Sequence, residues 1–167
     1  EHLLGRAAGA LAVRHAEDLH TALTRVGDHA RTFFSGLMLA PRREDRARYT
    51  AESIAEHAGD GMMLAGALEG FEASLALARA SADAGSVADI DDDLAAVQRR
   101  AGELKDELRF LLRAGDTDFV YFLEFRGRGV FLRAAPIDVS RIIQTGLFRR
   151  VQGTGLTCAT LGAGGWF

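Results

Sequence analysis

The chain has 167 residues, 48% of them hydrophobic and 26% charged, a balance that excludes a disordered or fibrous protein and supplies enough length for one core. A net charge of -3 and a pI near 6.0 exclude a uniformly basic nucleic-acid binder, so any phosphate contact has to come from local arginine clusters. The single cysteine, Cys158, excludes an internal disulfide and a cysteine-held iron-sulfur or zinc centre, and fits a reducing, cytoplasmic compartment.

The first expected element is a helix over 14–39. Leu19, Leu23, Val26, Ala30, Phe33 and Leu37 alternate in steps of four and three, which places them on one stripe. Pro41 ends it. Arg42, Arg43, Arg46 and Arg48 then cluster on an expected helix-helix turn, with Tyr49 beside them for base stacking and Glu44 and Asp45 as partial counter-charge.

A second helix carries Leu64, Leu68, Phe71, Leu75 and Ala78. Ser53 and Glu56 form an S-x-x-E capping box for a short leading turn, and Gly59 and Gly61 interrupt the start of the main helix near Asp60. Gly66 and Gly70, one turn apart, are expected to let another backbone come close; Glu69 and Glu72 argue against a membrane helix pair. No apolar run is expected to approach the ~18 residues of a membrane span, and the N-terminus lacks the order of a signal peptide.

The third helix steps through Val87, Ile90, Leu94, Val97, Ala101, Leu104, Leu108 and Leu111, from a Ser86-x-x-Asp89 capping box to a stop at Gly115. Asp89, Asp91, Asp92 and Asp93 suit the positive end of its dipole. After it the period changes to two. Residues 119–125 and 130–134 read as strands of a hairpin around Arg126-Gly127-Arg128-Gly129, with Arg126 and Arg128 offered at its tip. Pro136 closes the second strand; a helix with Ile142, Ile143, Leu147 and Phe148 and a strand over 155–161 follow.

His15 and His20 lie five residues apart, some 140° around a helix, so they share no ligand face. Gly153-Thr154-Gly155 and Gly127-Arg128-Gly129 are too short for a phosphate loop. The residues thus predict a mainly α protein: an antiparallel three-helix bundle with a β-hairpin and a C-terminal helix-strand segment.

The order Ala135-Pro136-Ile137-Asp138-Val139-Ser140, an amphipathic helix with Leu147-Phe148, then Leu156-Thr157-Cys158-Ala159-Thr160-Leu161 resembles the DinG/XPD-like superfamily 2 helicases. In that family a P-[IL]-D-V-[SA] turn leads through a helix to motif III, T-S-A-T-L. Thr157, Ala159 and Thr160 match it, and Cys158 stands where the family usually has serine. Glu1-His2-Leu3-Leu4 is similar to the close of the D-E-x-H box, with His2 as its last residue.

The resemblance implies a fragment of an ATP-dependent 5'-to-3' DNA helicase. Residues 1–13 would be the edge of the motor domain, 14–115 an arch-like helical insertion, and 116–167 the hairpin, helix and motif III strand of an adjoining α/β motor domain. Single-stranded DNA and the rest of the motor are the implied partners, and no membrane is. ATP and magnesium belong to the parent, which can also carry an iron-sulfur cluster outside this chain; without a Walker A loop the fragment itself is not catalytic. The alternative is a helical protein-interaction module with no nucleic-acid role.

Overall fold

The computed structural model describes residues 2–39, 45–81 and 88–140, with side chains described at 15–39, 45–81 and 91–140. The elements are α1 (His2–Leu39), β1 (Arg46–Arg48), α2 (Ala51–Ser81), α3 (Ala88–Arg113), β2 (Phe119–Arg126) and β3 (Gly129–Pro136). The chain is mainly helical, with one three-stranded antiparallel sheet in the order β1-β2-β3. It divides into two compact units, Glu1–Ala135 and Pro136–Phe167, and only 136–140 of the second is described.

α1 begins at His2, well before the expected 14, and its 38 residues extend about 57 Å at 1.5 Å per residue. Its stripe is covered only toward the C-terminal end: Phe33 and Leu37 are fully buried, whereas Leu23 is exposed. α2 is one continuous helix, without the interruption expected at Gly59 and Gly61. Its N-cap is Thr50, not Ser53. The Thr50 amide donates to Ser53 Oγ at 2.8 Å and the Ser53 amide to Thr50 Oγ1 at 3.3 Å, a reciprocal box that satisfies two otherwise orphaned N–H groups.

α2 packs antiparallel between α1 and α3, which explains why its apolar residues follow no single clean stripe. Among the described helices it alone is long and apolar enough to cross a membrane, contrary to the sequence expectation. Ile54, Leu64, Ala65, Leu68 and Leu75 are nonetheless buried against protein neighbours, and Glu69 and Glu72 bind Arg109 and Lys105 of α3. Among the described glycines of α2, Gly61 is the one that neighbouring side chains crowd. A Cβ there would meet Leu112 Cδ1 and Cδ2 at 2.7 Å and Phe33 Cε2 at 3.1 Å. Gly66 and Gly70, expected to make that approach, have nothing within 4 Å of a built Cβ.

The α3 stripe is turned from its expected setting. Ala101, Leu108 and Leu112 are buried, while Val97 and Leu104 are exposed. The turn follows from polar ties along the α2-α3 seam. Arg79 takes Asp91 with Nε at 2.8 Å and Gln98 with Nη1 at 2.9 Å, Lys105 takes Glu72 at 2.8 Å, and Arg109 takes Glu69 at 2.9 Å. These pairs are only half shielded from water, so they set register more than they add stability. The helix stops at Arg113, and Ala114 rather than Gly115 takes the left-handed conformation (φ 42°).

The hairpin forms with a two-residue turn, Gly127-Arg128, in which Gly127 supplies the positive φ of 57°. The third strand was not foreseen: Arg46–Arg48 pairs antiparallel with β2, with Arg46 opposite Glu124, Ala47 opposite Leu123 and Arg48 opposite Phe122. The inner sheet face contributes Tyr121, Leu123, Phe125 and Val130 to the same core as Phe33, Leu37, Leu64, Leu68, Leu108 and Leu112. A line drawn at 115/116 therefore runs through a shared core.

Gly61→Ala is expected to lower the unfolding free energy by about 1–3 kcal/mol, because the methyl overpacks against Leu112 and Phe33. Gly66→Ala, in open space on the same helix, should raise it by up to about 1 kcal/mol through helix propensity. Urea melts of the two variants check both signs; a neutral Gly61→Ala would contradict the packing described.

Candidate nucleic-acid interface

The sheet alternates strictly between its two faces, as period-two side chains must. While Tyr121, Leu123 and Phe125 point into the core, Phe122, Glu124 and Arg126 of β2 share the outer face with Arg46 and Arg48 of β1. Phe131 and Arg133 of β3 are exposed. Three arginines, one from each strand, converge on Glu124. Arg46 Nη2 lies 3.3 Å and Arg126 Nη2 2.8 Å from Glu124 Oε1, and Arg133 Nε contacts Oε2.

Glu124 is 8% exposed and is the only buried charged residue among those described. Its arginine partners remain about half exposed or more. Three guanidinium charges against one carboxylate leave the cluster positive. The hydrogen bond from Arg126, aided by Arg46 and by the field of Arg133, holds the Glu124 carboxyl below the usual carboxylate range although burial opposes this. Oε2 faces Arg133 but accepts no aligned hydrogen bond.

Aromatic rings interleave with these charges. The Arg46 guanidinium stands 4.5 Å from the Phe122 ring centroid and that of Arg133 stands 5.9 Å from Phe131, both within cation-π range. Arg48 on β1 and Arg128 at the hairpin turn are exposed and make no ion pair among the described residues.

The expected site residues are thus partly gathered and partly not. Arg46 and Arg126 meet on the sheet, with Arg48 on the same face and Arg128 at its turn; the strand, not a helix-helix turn, aligns Arg46 and Arg48. Tyr49 is core rather than a stacking platform. It is 7% exposed, its ring lies 5.9 Å from that of Tyr121, and its hydroxyl donates to the Leu111 carbonyl at 3.0 Å. Burial pushes its phenol pKa up. His2 opens α1. Arg42, Arg43 and the motif III-like Thr157, Cys158, Ala159 and Thr160 lie outside the described residues. Phe122, Glu124, Phe131 and Arg133 were missed, although the alternation Phe-x-Glu-x-Arg and Phe-x-Arg is in the sequence.

Concavities also lie among the described residues. An apolar groove of about 1010 Å³ lies between α1, α3 and the hairpin, over Leu64 and Leu68 of α2, with Val26, Phe34, Leu104 and Leu111 on its walls and Arg128 and Phe131 at its hairpin side. A smaller polar cleft of about 410 Å³ between α1 and α2 has Gly66 and Gly70 on its floor. No group of three or more His, Cys, Asp or Glu side chains among the described residues is placed to hold a metal ion. Gly127-Arg128-Gly129 spans a tight hairpin turn rather than a strand-to-helix loop.

Compared with protein-family models, curated proteins and solved structures, the chain matches none. Guanidinium groups provide paired donors for phosphate oxygens, and aromatic rings beside them provide stacking surfaces for bases.

Because the Glu124 carboxyl is depressed in the folded protein, its contribution to stability is fully present above its ordinary pKa and is lost as pH falls through the lower folded value. An acid titration of the side-chain carboxyl carbon by NMR should give a midpoint below the ordinary glutamate value of about 4.3. A midpoint at or above it would contradict the three-arginine arrangement.

Proposed function

We propose that this chain is a piece of an ATP-dependent 5'-to-3' DNA helicase of the DinG/XPD-like kind, and that its outer sheet face borders the path of the single strand. On this reading α1, α2 and α3 form the arch-like insertion. Thr157 and Thr160 belong to the coupling motif of the adjoining motor domain, and ATP and magnesium bind elsewhere in the parent. The fragment shapes the strand's path and catalyses nothing alone.

One observation carries the proposal: arginines and phenylalanines share a single sheet face, Arg46, Arg126 and Arg133 around Glu124, with Phe122 beside Arg46 and Phe131 beside Arg133. Single strands are gripped by such a combination, since the backbone needs positive charge without sequence preference and every base has a π-face to stack. A chain with net charge -3 can do this because what matters at short range is the local field, the rest being screened beyond about 10 Å at 0.1 M salt.

The second reading, a helical interaction module, draws on the apolar groove flanked by α1 and α3, whose walls would accept the apolar face of a partner protein's amphipathic helix. Salt separates the two, because strand binding through phosphates weakens steeply with ionic strength and groove binding does not.

Fluorescence anisotropy with a labelled single-stranded oligonucleotide tests the proposal. At low salt the protein should bind weakly, and Arg48→Gln or Arg128→Gln should each reduce the slope of log K against log salt by about 0.7. Phe122→Ala, on the outer sheet face and away from the groove, should cost about 1–3 kcal/mol with the slope unchanged. Absence of binding at low salt, or binding indifferent to salt and to these variants, would contradict it.

A further inference from the structure

We propose that Glu124 is the positioning residue of this face, an internal counter-anion that fixes the three guanidinium groups and limits their charge, so that the face accepts a strand with bases in preference to a bare polyanion. The inference takes its ligand from the single-strand reading above. Its structural half stands without that reading.

The geometry points to Glu124 because it draws one arginine from each strand. Arg46 is its register partner on β1, Arg126 its neighbour two residues on in β2, and Arg133 reaches it from β3. A free arginine side chain at a surface samples many rotamers, and holding it still before binding removes an entropic cost from the binding step. The carboxylate is also buried while the guanidinium groups are not, so it holds them from beneath.

The donor count is uneven. Each arginine has five N–H donors, whereas a carboxylate has two oxygens, and Oε1 already takes hydrogen bonds from Arg46 and Arg126. Donors therefore exceed the acceptors Glu124 offers, and the surplus is open to the oxygens of a bound phosphate. A fixed negative charge under the site meanwhile repels any anion that brings charge and nothing else, while a strand recovers the difference by stacking on Phe122 and Phe131. Repulsion of the wrong ligand is a recognised route to specificity.

The test compares the wild-type protein with Glu124→Gln and with Glu124→Gln/Arg133→Gln, the latter restoring the net charge and reducing unpaired arginine should the single variant fail to fold. Three quantities are read: order of the Arg46 and Arg126 Nε–H groups by NMR relaxation, affinity for a single-stranded oligonucleotide, and affinity for heparin. In Glu124→Gln the two Nε–H groups should lose order and the oligonucleotide salt slope should steepen by about 0.7, the share of one charge. The ratio of oligonucleotide to heparin affinity should fall several-fold. The double variant should return to the wild-type slope with its arginines still disordered, which separates position from charge.

Arginines as ordered in either variant as in the wild type would overturn the proposal, as would an unchanged affinity ratio. If the wild type binds no oligonucleotide at low salt, it is the nucleic-acid reading that fails. Arginine order and heparin affinity still decide the role of Glu124: disorder with tighter heparin binding supports it, and no change in either overturns it.

Discussion

Three residues of β1, Arg46–Arg48, pair with a strand whose matching residues lie up to 78 positions further along the chain. The pairing is extended on both sides, by the Phe125 amide donating to the Asp45 carbonyl at 2.8 Å and the Tyr49 amide donating to the Tyr121 carbonyl at 3.0 Å. Register in a sheet is all or nothing, since a slip of one residue moves every side chain to the opposite face. In the observed register Ala47 and Leu123 face the core, while Arg46 meets Glu124 on the outside. Tyr49 then anchors the end of the strand to the helices through the carbonyl of Leu111 on α3.

The helices make this possible by supplying a second layer for the sheet to cover. α2 is the inner helix, met at Gly61 by Phe33 of α1 and Leu112 of α3, and tied to α3 by a row of half-shielded ion pairs. Those pairs draw Lys105 and Gln98 toward the seam and turn Val97 and Leu104 outward, which leaves Leu104 on the wall of the groove. Register ties made of charge therefore decide where apolar surface is left open. The arginine cluster behaves likewise: a single buried carboxylate organises more positive charge than it neutralises, and the surplus faces outward.

Much of the helical content was legible because apolar spacing and helix period are the same measurement. The limits were less so. Gly61 reads as a breaker from sequence, yet its lack of a Cβ is what lets Leu112 and Phe33 approach. Gly115 reads as a stop, yet Ala114 takes the left-handed turn. The hairpin was legible from its β-rich runs and its Gly127 turn, but β1 was not. Three residues carry too little periodicity to mark a strand, and Arg-Ala-Arg between two helices looks like a charged turn. Without β1 the outer face has no visible partner for Glu124, which hides Phe122, Glu124, Phe131 and Arg133 from the sequence and leaves Tyr49 reading as a base-stacking residue beside the arginines. The helicase resemblance rests on 135–140 and 156–161, and its motif III lies outside the described residues.

We propose that the outer face of the sheet, and not the groove between α1, α3 and the hairpin, meets a single strand. Isotope-labelled protein titrated with a short single-stranded oligonucleotide, followed through amide and arginine side-chain NMR signals, separates the two. Shifts should be confined to Arg46, Arg48, Phe122, Arg126 and Arg133, with Phe34, Leu68 and Leu104 unmoved; Phe131 borders both surfaces. Shifts centred on those groove residues, or none anywhere at low salt, would contradict it.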